Sequence, residues 1–157
     1  MVIRFNTMYE AKTRALTSSS GRAYVGLSVS KKIIAPYLTA LRKELKKRSF
    51  ELVIGNRTKR DGVGYHLTVL SPDECEKINQ KSISDYKNRA VQITLFGIGK
   101  VESVDGVSYF IVVKSDDARK IRKEAGEGHR DFHITLGFLE SDVHGVTKDR
   151  TTEFLRV

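Results

Sequence analysis

Two six-residue strings constrain the fold of this chain more than any other feature of its sequence. They run from Tyr65 to Leu70 (YHLTVL) and from Phe132 to Gly137 (FHITLG). Polar and apolar residues alternate in both, which is the pattern of a half-buried strand. Because residues i and i+2 of a strand point to the same face, the sequence predicts two strands that each present a histidine beside a threonine. These pairs are His66 with Thr68 and His133 with Thr135.

The rest of the chain predicts further strands and helices in two halves of similar order. Strands are expected at residues 23–30, 52–54, 92–102, 107–114 and 152–157, and a basic loop at 57–64. One helix is expected to have Pro36 in its first turn. A second should run from Ser71 to about Gln80, and a third from Ser115 to the glycines at 126 and 128. A Gly-x-Gly loop precedes each His-x-Thr strand, which indicates an internal duplication of the architecture.

Length and composition predict a single domain over residues 1–157. Polar and small residues at 1–22 are typical of an arm or loop, and polar residues at 141–157 of a C-terminal tail. Cys75 is the only cysteine, so no intrachain disulfide can form and a reducing, cytoplasmic setting is expected. The chain shows no secretory signal, and its longest apolar stretch, residues 109–113, is too short to cross a bilayer. We expect no membrane association and favour a monomer.

Positive charge is concentrated in one segment of the chain. The formal net charge is +9, and ten basic residues but only two acidic ones lie between Lys31 and Arg60. Such a balance suggests an anionic partner. The segment is either a solvated helix face or a flank that attracts phosphate groups.

The two His-x-Thr strands supply the groups for acid–base chemistry at a phosphate, provided that they lie across one cleft. Because histidine titrates near neutrality, one imidazole can be neutral while the other is protonated. Such a pair can serve as base and acid in a displacement at phosphorus, and two threonine hydroxyls can hold the non-bridging oxygens. No metal or other cofactor is required. A metal site at His129 and His133 is disfavoured, since their neighbours indicate a strand and no credible ligand set is complete.

These motifs resemble those of the 2H phosphoesterase superfamily, which includes the LigT-like RNA 2′,3′-cyclic phosphodiesterases and 2′,5′-RNA ligase-like proteins. That superfamily is defined by two His-x-Thr/Ser-x motifs with an apolar residue after each, as in HLTV at 66–69 and HITL at 133–136. The likeness covers roughly residues 23–140. It implies a bilobal α+β fold with pseudo-twofold symmetry, in which antiparallel sheets form a concave, positively charged cleft and helices pack outside.

The resemblance also implies a role for each residue of the motifs. His66 and His133 would be the general acid and the general base, in an order that the sequence leaves open. Thr68 and Thr135 would bind the phosphate.

Several other residues are candidates for accessory contacts to the substrate. Many LigT-like proteins place an arginine soon after the second motif, whereas this chain has GFLE at residues 137–140. Lys148 or Arg150 in the tail could replace that charge. His144, which is predicted to lie in an exposed turn, and Tyr9 are the remaining candidates.

The sequence therefore predicts a metal-independent hydrolase that acts on 2′,3′-cyclic phosphates, or on 2′,5′-linked or cyclic oligonucleotides, by two-histidine catalysis. RNA, an oligonucleotide or a cyclic nucleotide is the expected partner. Two alternatives stay open. The substrate could be a cyclic oligonucleotide second messenger of antiviral defence, or the chain could be a non-catalytic RNA-binding module that uses the basic segment at residues 31–60.

Overall fold

The computed structural model describes residues 6–78 and 80–157 of the chain. Its strands are β1 (Thr7–Lys12), β2 (Arg14–Thr17), β3 (Ala23–Val29), β4 (Tyr65–Leu70), β5 (Ala90–Ser103), β6 (Gly106–Lys114), β7 (Phe132–Glu140) and β8 (Glu153–Leu155). Its helices are α1 (Lys31–Glu44), α2 (Lys47–Asp61), α3 (Pro72–Glu76), α4 (Gln80–Asp85) and α5 (Asp116–Glu124). A 3-10 turn at Arg150–Thr152 precedes β8.

The strands form two antiparallel sheets that meet at the His-x-Thr strands. The larger sheet has the order β1-β5-β6-β7, with β8 paired to β5, and the smaller has the order β2-β3-β4. The edge strands β4 and β7 contact each other, while α2 packs against β7 and α5 against β5 and β4. The α+β fold with antiparallel sheets and packed helices that the resemblance implied is thereby confirmed.

The alternation of the two motifs works as predicted. Leu67 and Val69 of β4 and Ile134 and Leu136 of β7 are fully buried, whereas the histidines and threonines between them are half-buried. One hydrophobic cluster contains buried residues from both sheets. Burial of the apolar face therefore fixes which side of each strand turns its polar residues outward.

The two Gly-x-Gly loops are tight connections of similar construction. Gly62 follows α2 and Gly126 follows α5, with φ angles of 76° and 77° that favour glycine. Buried Arg57 of α2 donates to the Gly64 carbonyl at 2.6 Å, and buried Arg122 of α5 donates to a loop carbonyl, that of Gly128, at 2.9 Å. Each half thus uses an arginine on its preceding helix to hold the loop that leads into its His-x-Thr strand.

Helix α2 links the two halves because it lies directly on β7. A Cβ at Gly137 would overlap the carbonyl oxygen and side chain of Val53, so glycine is required for this close approach. The Asn56 side chain donates to the Phe138 carbonyl at 2.9 Å. The contact brings the end of α2, with Arg60 and Asp61, to the edge of the cleft described below.

The sequence prediction was wrong for residues 52–54, which lie in α2 rather than in a strand. Only Val53 of the three is fully buried, and Leu52 is 51% exposed. This burial is typical of a helix that turns a single face to the core. A short apolar run does not distinguish a strand from a helix by periodicity. Most of the predicted basic loop at 57–64 is likewise helical, since α2 ends at Asp61.

The predicted arm at residues 1–22 was wrong for residues 7–17, which form β1 and β2. Strand β1 pairs with β5 and β2 with β3, so polar residues of weak strand character are held by backbone hydrogen bonds to longer neighbours. Residues 1–5 lie outside the described residues. Pro36 lies within α1 rather than in its first turn, because the Ser30 cap begins that helix at Lys31. The helix after Ser71 ends at Glu76, earlier than predicted.

Candidate active site

The four motif side chains line one cleft where the two sheets meet. The cleft has a volume of about 770 Å³ and is lined by His66, Thr68, His133 and Thr135. We refer to it as the histidine cleft. The meeting of the two strands across one cavity, on which the predicted chemistry depends, is therefore present in the structure.

The His66 ring is partly buried and faces an aromatic edge. The centroid of the Tyr24 ring lies 5.6 Å from that of His66 in an edge-on arrangement. Burial lowers the pKa of His66 below the ordinary value of 6.5. The negative charge of Asp61 opposes this shift, and the positive charges of Arg60 and Arg57 add to it.

The His133 ring has a comparable aromatic neighbour but a more positive environment. The Phe110 ring lies 5.7 Å away, again edge-on. Burial and the positive charge of Lys148 lower the pKa of His133 to about 3, against the opposing hydrogen bond to the Asp131 carbonyl. That carbonyl is 3.3 Å from Nδ1 of His133 and can only accept, so Nδ1 carries the proton and Nε2 keeps its lone pair.

Burial disfavours the charged form of each ring and lowers the pKa of both imidazoles. Protonation of one imidazole beside a neutral partner therefore needs additional negative charge in the cleft. A bound phosphodiester adds negative charge beside the rings and favours protonation. The neighbouring charges then distinguish the two, since Asp61 favours a charged His66 and Lys148 disfavours a charged His133.

An ionic network centred on Asp142 forms part of the cleft wall. Arg60 pairs with Asp61 at 2.8 Å and also with Asp142. The Ser108 hydroxyl donates to the Asp142 carboxylate. Burial alone would raise the pKa of Asp142, but the hydrogen bonds from Arg60 and Ser108 and the charge of Lys148 lower it overall. Asp142 therefore stays ionised and compensates the cations that surround it.

Two of the candidate accessory residues lie at this network. His144 lines the histidine cleft, and its Nε2 is 3.9 Å from an Asp142 oxygen. Lys148 is buried, with Nζ 3.9 Å from Asp142 and 5.4 Å from the centroid of the Phe110 ring. It lines a smaller adjoining cavity together with His133.

The other two candidates lie outside the walls of the histidine cleft. Tyr9 is on β1, where its hydroxyl donates to the Ser28 carbonyl at 3.5 Å. The Arg150 guanidinium covers the Phe96 ring at 4.3 Å and lines a different groove. Both were predicted from charge or aromatic character alone, which does not indicate where a tail or a strand will lie.

Sequence reasoning missed much of the cleft wall. Arg22, Tyr24 and Arg130 line it, as do the serines at 18–20 in the turn between β2 and β3. Arg22 is held by Asp73 and Glu76 of α3. Arg130 stands three residues before His133, and that nearness was the one sequence signal that could have indicated it.

The basic segment at residues 31–60 contributes little to the cleft. Of its ten basic residues, Arg60 lines the cleft and Arg57 is buried beneath the first Gly-x-Gly loop. The other eight are exposed on α1 and α2 and in the turn between them. Arg22, Arg60 and Arg130 line the cleft together with three aspartates, Asp61, Asp73 and Asp142, so the formal charges of its wall balance and the positively charged cleft that the resemblance implied is not found.

Across residues 6–78 and 80–157, no group of three or more His, Cys, Asp or Glu side chains is arranged to hold a metal ion. In the same part of the chain, no helix combines the length and apolar character needed to cross a membrane.

A fold of two antiparallel sheets that brings paired His-x-Thr motifs into one cleft defines a two-histidine phosphoesterase. A family model described as "Swiss Army Knife, 2H phosphoesterase domain" matches residues 24–144. The chain belongs to this 2H phosphoesterase family, which supports a phosphodiesterase-type activity. Comparisons with curated proteins and with solved structures found no match. The LigT-like assignment within the superfamily stays a prediction.

Proposed function

We propose that this protein is a metal-independent phosphodiesterase that opens 2′,3′-cyclic phosphates, or cleaves 2′,5′-linked or cyclic oligonucleotides, with His133 as general base and His66 as general acid. The observation that carries the proposal is that both imidazoles and both threonine hydroxyls line one cleft. RNA, an oligonucleotide or a cyclic nucleotide is the proposed partner, and the proposed setting is cytoplasmic.

The base role of His133 is supported by its tautomer and its surroundings. Its Nδ1 proton is directed to the Asp131 carbonyl, which leaves Nε2 as the acceptor. The charge of Lys148 keeps the ring neutral before reaction. In the proposed step a water gives a proton to Nε2 of His133 while its oxygen bonds to phosphorus.

The acid role of His66 is supported by the carboxylate of Asp61, which favours the protonated ring. Protonated His66 gives its proton to the ribose oxygen as the phosphorus–oxygen bond breaks, and the product is a phosphomonoester. Hydroxyls of Thr68 and Thr135 donate to the non-bridging oxygens, where negative charge develops. Lys148 and His144 are proposed as accessory contacts because they adjoin His133 and line the cleft, respectively.

The test is turnover of a substrate panel in the presence of EDTA. The panel contains 2′,3′-cyclic nucleotides, 2′,5′-linked oligonucleotides and cyclic oligonucleotides, the last of which covers the second-messenger alternative. We expect at least one of them to be hydrolysed, and His66→Ala and His133→Ala each to lower kcat/KM by about 10³-fold. Wild-type rates in both variants, with circular dichroism showing them folded, would refute the mechanism.

The competing proposal is an RNA-binding module that uses the exposed basic residues of α1 and α2. It predicts no turnover of any cyclic or 2′,5′-linked phosphodiester, and RNA binding that weakens steeply with salt. Replacing Lys46, Lys47 and Arg48 by alanine would then abolish most binding, whereas the phosphodiesterase proposal predicts little change in turnover of a cyclic mononucleotide.

A further inference from the structure

A second groove adjoins the histidine cleft, next to the loop at residues 126–131. Its volume is about 170 Å³, and its walls include Phe96, Arg119 and Arg150. Arg130 lines both this groove and the histidine cleft. The two cavities are therefore neighbours across one guanidinium, and a ligand held in the cleft can extend into what we call the Phe96 groove.

The charge of the Phe96 groove favours an anion. Arg119, Arg130 and Arg150 line it, while the two aspartates of its wall, Asp131 and Asp149, already accept hydrogen bonds from neighbouring groups. Within the described part of the chain, no carboxylate lies within 4.0 Å of the Arg119 guanidinium. Arg119 can therefore bind phosphate oxygens without first losing a tight ion pair, and Arg150, which is mostly exposed and 3.6 Å from Glu153, can contact a ligand with little loss of stabilisation.

The floor of the groove favours a planar apolar group. The Arg150 guanidinium lies over the Phe96 ring, with its carbon 4.3 Å from the ring centroid. An arginine plane held in this way offers its outer face to an unstacked base. The volume is below the roughly 300–1,000 Å³ of a site for a drug-sized ligand, which suits one base rather than a whole dinucleotide.

We propose that the Phe96 groove binds the nucleotide adjacent to the reacting phosphodiester of a single-stranded oligonucleotide. The base lies against Arg150 and Phe96, and its phosphate binds Arg119 and Arg130. This inference rests on the proposed phosphodiesterase function and narrows its substrate to a strand longer than one nucleotide. It also gives Arg150 a substrate contact outside the histidine cleft.

The first arm of the test compares turnover of two substrates. These are a 2′,3′-cyclic mononucleotide and a short RNA that ends in a 2′,3′-cyclic phosphate. The variant Arg119→Ala/Arg150→Ala should lower kcat/KM about tenfold for the RNA and less than about twofold for the mononucleotide. Phe96→Leu, which keeps an apolar side chain but removes the ring, should act in the same direction. The control Arg42→Ala/Arg48→Ala removes the same charge from exposed positions of α1 and α2 and should change neither value.

The second arm measures binding without turnover. Fluorescence anisotropy of the labelled RNA is followed against salt in the His66→Ala/His133→Ala background. The groove variant loses one phosphate contact, that of Arg119, which should reduce the slope of log K against log salt by about 0.7 for a single strand. A merely structural effect of the substitutions would not change this slope.

The outcomes separate the two proposals. If the wild-type protein hydrolyses neither substrate, the 2′,3′-cyclic phosphodiesterase activity fails, and the anisotropy measurement still shows whether the groove binds RNA. If both substrates are hydrolysed and the groove variant loses nothing on RNA, the groove proposal fails alone. Equal losses in the groove variant and in the α1/α2 control also overturn it, because binding would then follow overall charge.

Discussion

The two halves of the molecule present the same His-x-Thr pair, but the neighbouring charge that acts most strongly on the histidine is negative in the first half and positive in the second. His66 in the first half lies near the carboxylate of Asp61, whereas His133 in the second lies near the ammonium of Lys148. The edge-on aromatic neighbour is common to both. Similar architecture thus places the two rings across a cleft, while their unlike neighbours support the proposed roles of His66 as acid and His133 as base.

The buried arginines beneath the two Gly-x-Gly loops also differ in their partners. Arg122 in the second half pairs with the Glu74 carboxylate at 2.7 Å, whereas Arg57 in the first half donates to backbone carbonyls and lies 3.9 Å over the Tyr65 ring. Within the described residues, no carboxylate forms an ion pair with Arg57, and its Nε has no hydrogen-bond partner. Equivalent positions therefore need not contribute equally to stability.

The largest difference between the halves is expected in their buried arginines. Arg122→Met should lower the free energy of unfolding by about 3 kcal/mol, since it leaves the partly buried Glu74 carboxylate with the Ser71 N–H and the more distant Arg130, at 3.3 Å, as partners. Arg57→Met should cost about 1 kcal/mol, because the loss of carbonyl hydrogen bonds is offset by relief of a buried charge. Urea denaturation at pH 7 measures both, and equal costs would contradict the comparison.

The pH dependence of the free energy of unfolding tests whether loss of the ion pair with Glu74 destabilises the Arg122 variant. Burial would raise the pKa of Glu74, but its hydrogen bonds with Arg122 and the Ser71 backbone lower it from 4.5 to about 2. A carboxylate with a depressed pKa stabilises the fold above its unfolded value and loses that contribution as the pH falls. The deficit of Arg122→Met should therefore shrink between pH 4.5 and about 2. A constant deficit would point to packing instead.

Removal of each threonine hydroxyl tests whether the two halves contribute alike to phosphate binding. Thr68→Val and Thr135→Val should each lower kcat/KM about 100-fold, because each removes one donor to a charged oxygen. Thr39→Val changes an exposed threonine of α1 in the same way and should leave the rate unchanged. A loss confined to one motif would mean that only one half holds the phosphate.

The contact between the halves is tested at Gly137. Gly137→Ala should lower the free energy of unfolding by about 2 kcal/mol, because the added methyl overlaps Val53 and pushes α2 from β7. Gly55→Ala, within α2 and with open space at its Cβ, should instead stabilise by up to about 1 kcal/mol. Thermal denaturation of both variants measures these effects. Similar shifts in Tm would show that the packing of α2 does not depend on the close contact between Gly137 and Val53.

The smallest predicted effect concerns the charges that distinguish the two histidines. The proposed mechanism requires protonated His66 and neutral His133, so kcat/KM should be greatest between the pKa of His133, at about 3, and the pKa of His66, which burial lowers below 6.5. Asp61→Asn removes a charge that raises the pKa of His66, so the alkaline limb should move to lower pH. Lys148→Met removes a charge that lowers the pKa of His133, so the acidic limb should move to higher pH. A shift of the acidic limb in Asp61→Asn and of the alkaline limb in Lys148→Met would reverse the acid and base roles.

The parts of the fold that local patterns determine could be predicted from the sequence. Alternation identified β4 and β7, because burial of Leu67 and Ile134 requires one apolar face. The capping box at Ser71 and Glu74 identified the start of α3 and is present as predicted. Both signals lie within a few residues of the feature that they predict.

The parts that depend on distant contacts could not be predicted. Strands β1 and β2 are defined by pairing with β5 and β3, and the turn to Arg22 lines the cleft only because of that pairing. Asp142 and Arg60 meet across 82 residues, through the contact between α2 and β7. Periodicity and composition contain no information on such meetings, so the identity of the cleft wall required the structure.

The central claim, that His66 and His133 act as one acid–base pair, is tested most directly by a double-mutant cycle. The measurement is kcat/KM for a 2′,3′-cyclic phosphate in EDTA with His66→Ala, His133→Ala and the double variant. Residues that act as a unit are not additive, so we predict that each single variant loses about 10³-fold and that the double variant is no worse than the poorer single one. Single variants that keep the wild-type rate, or losses that multiply in the double variant, would contradict the account.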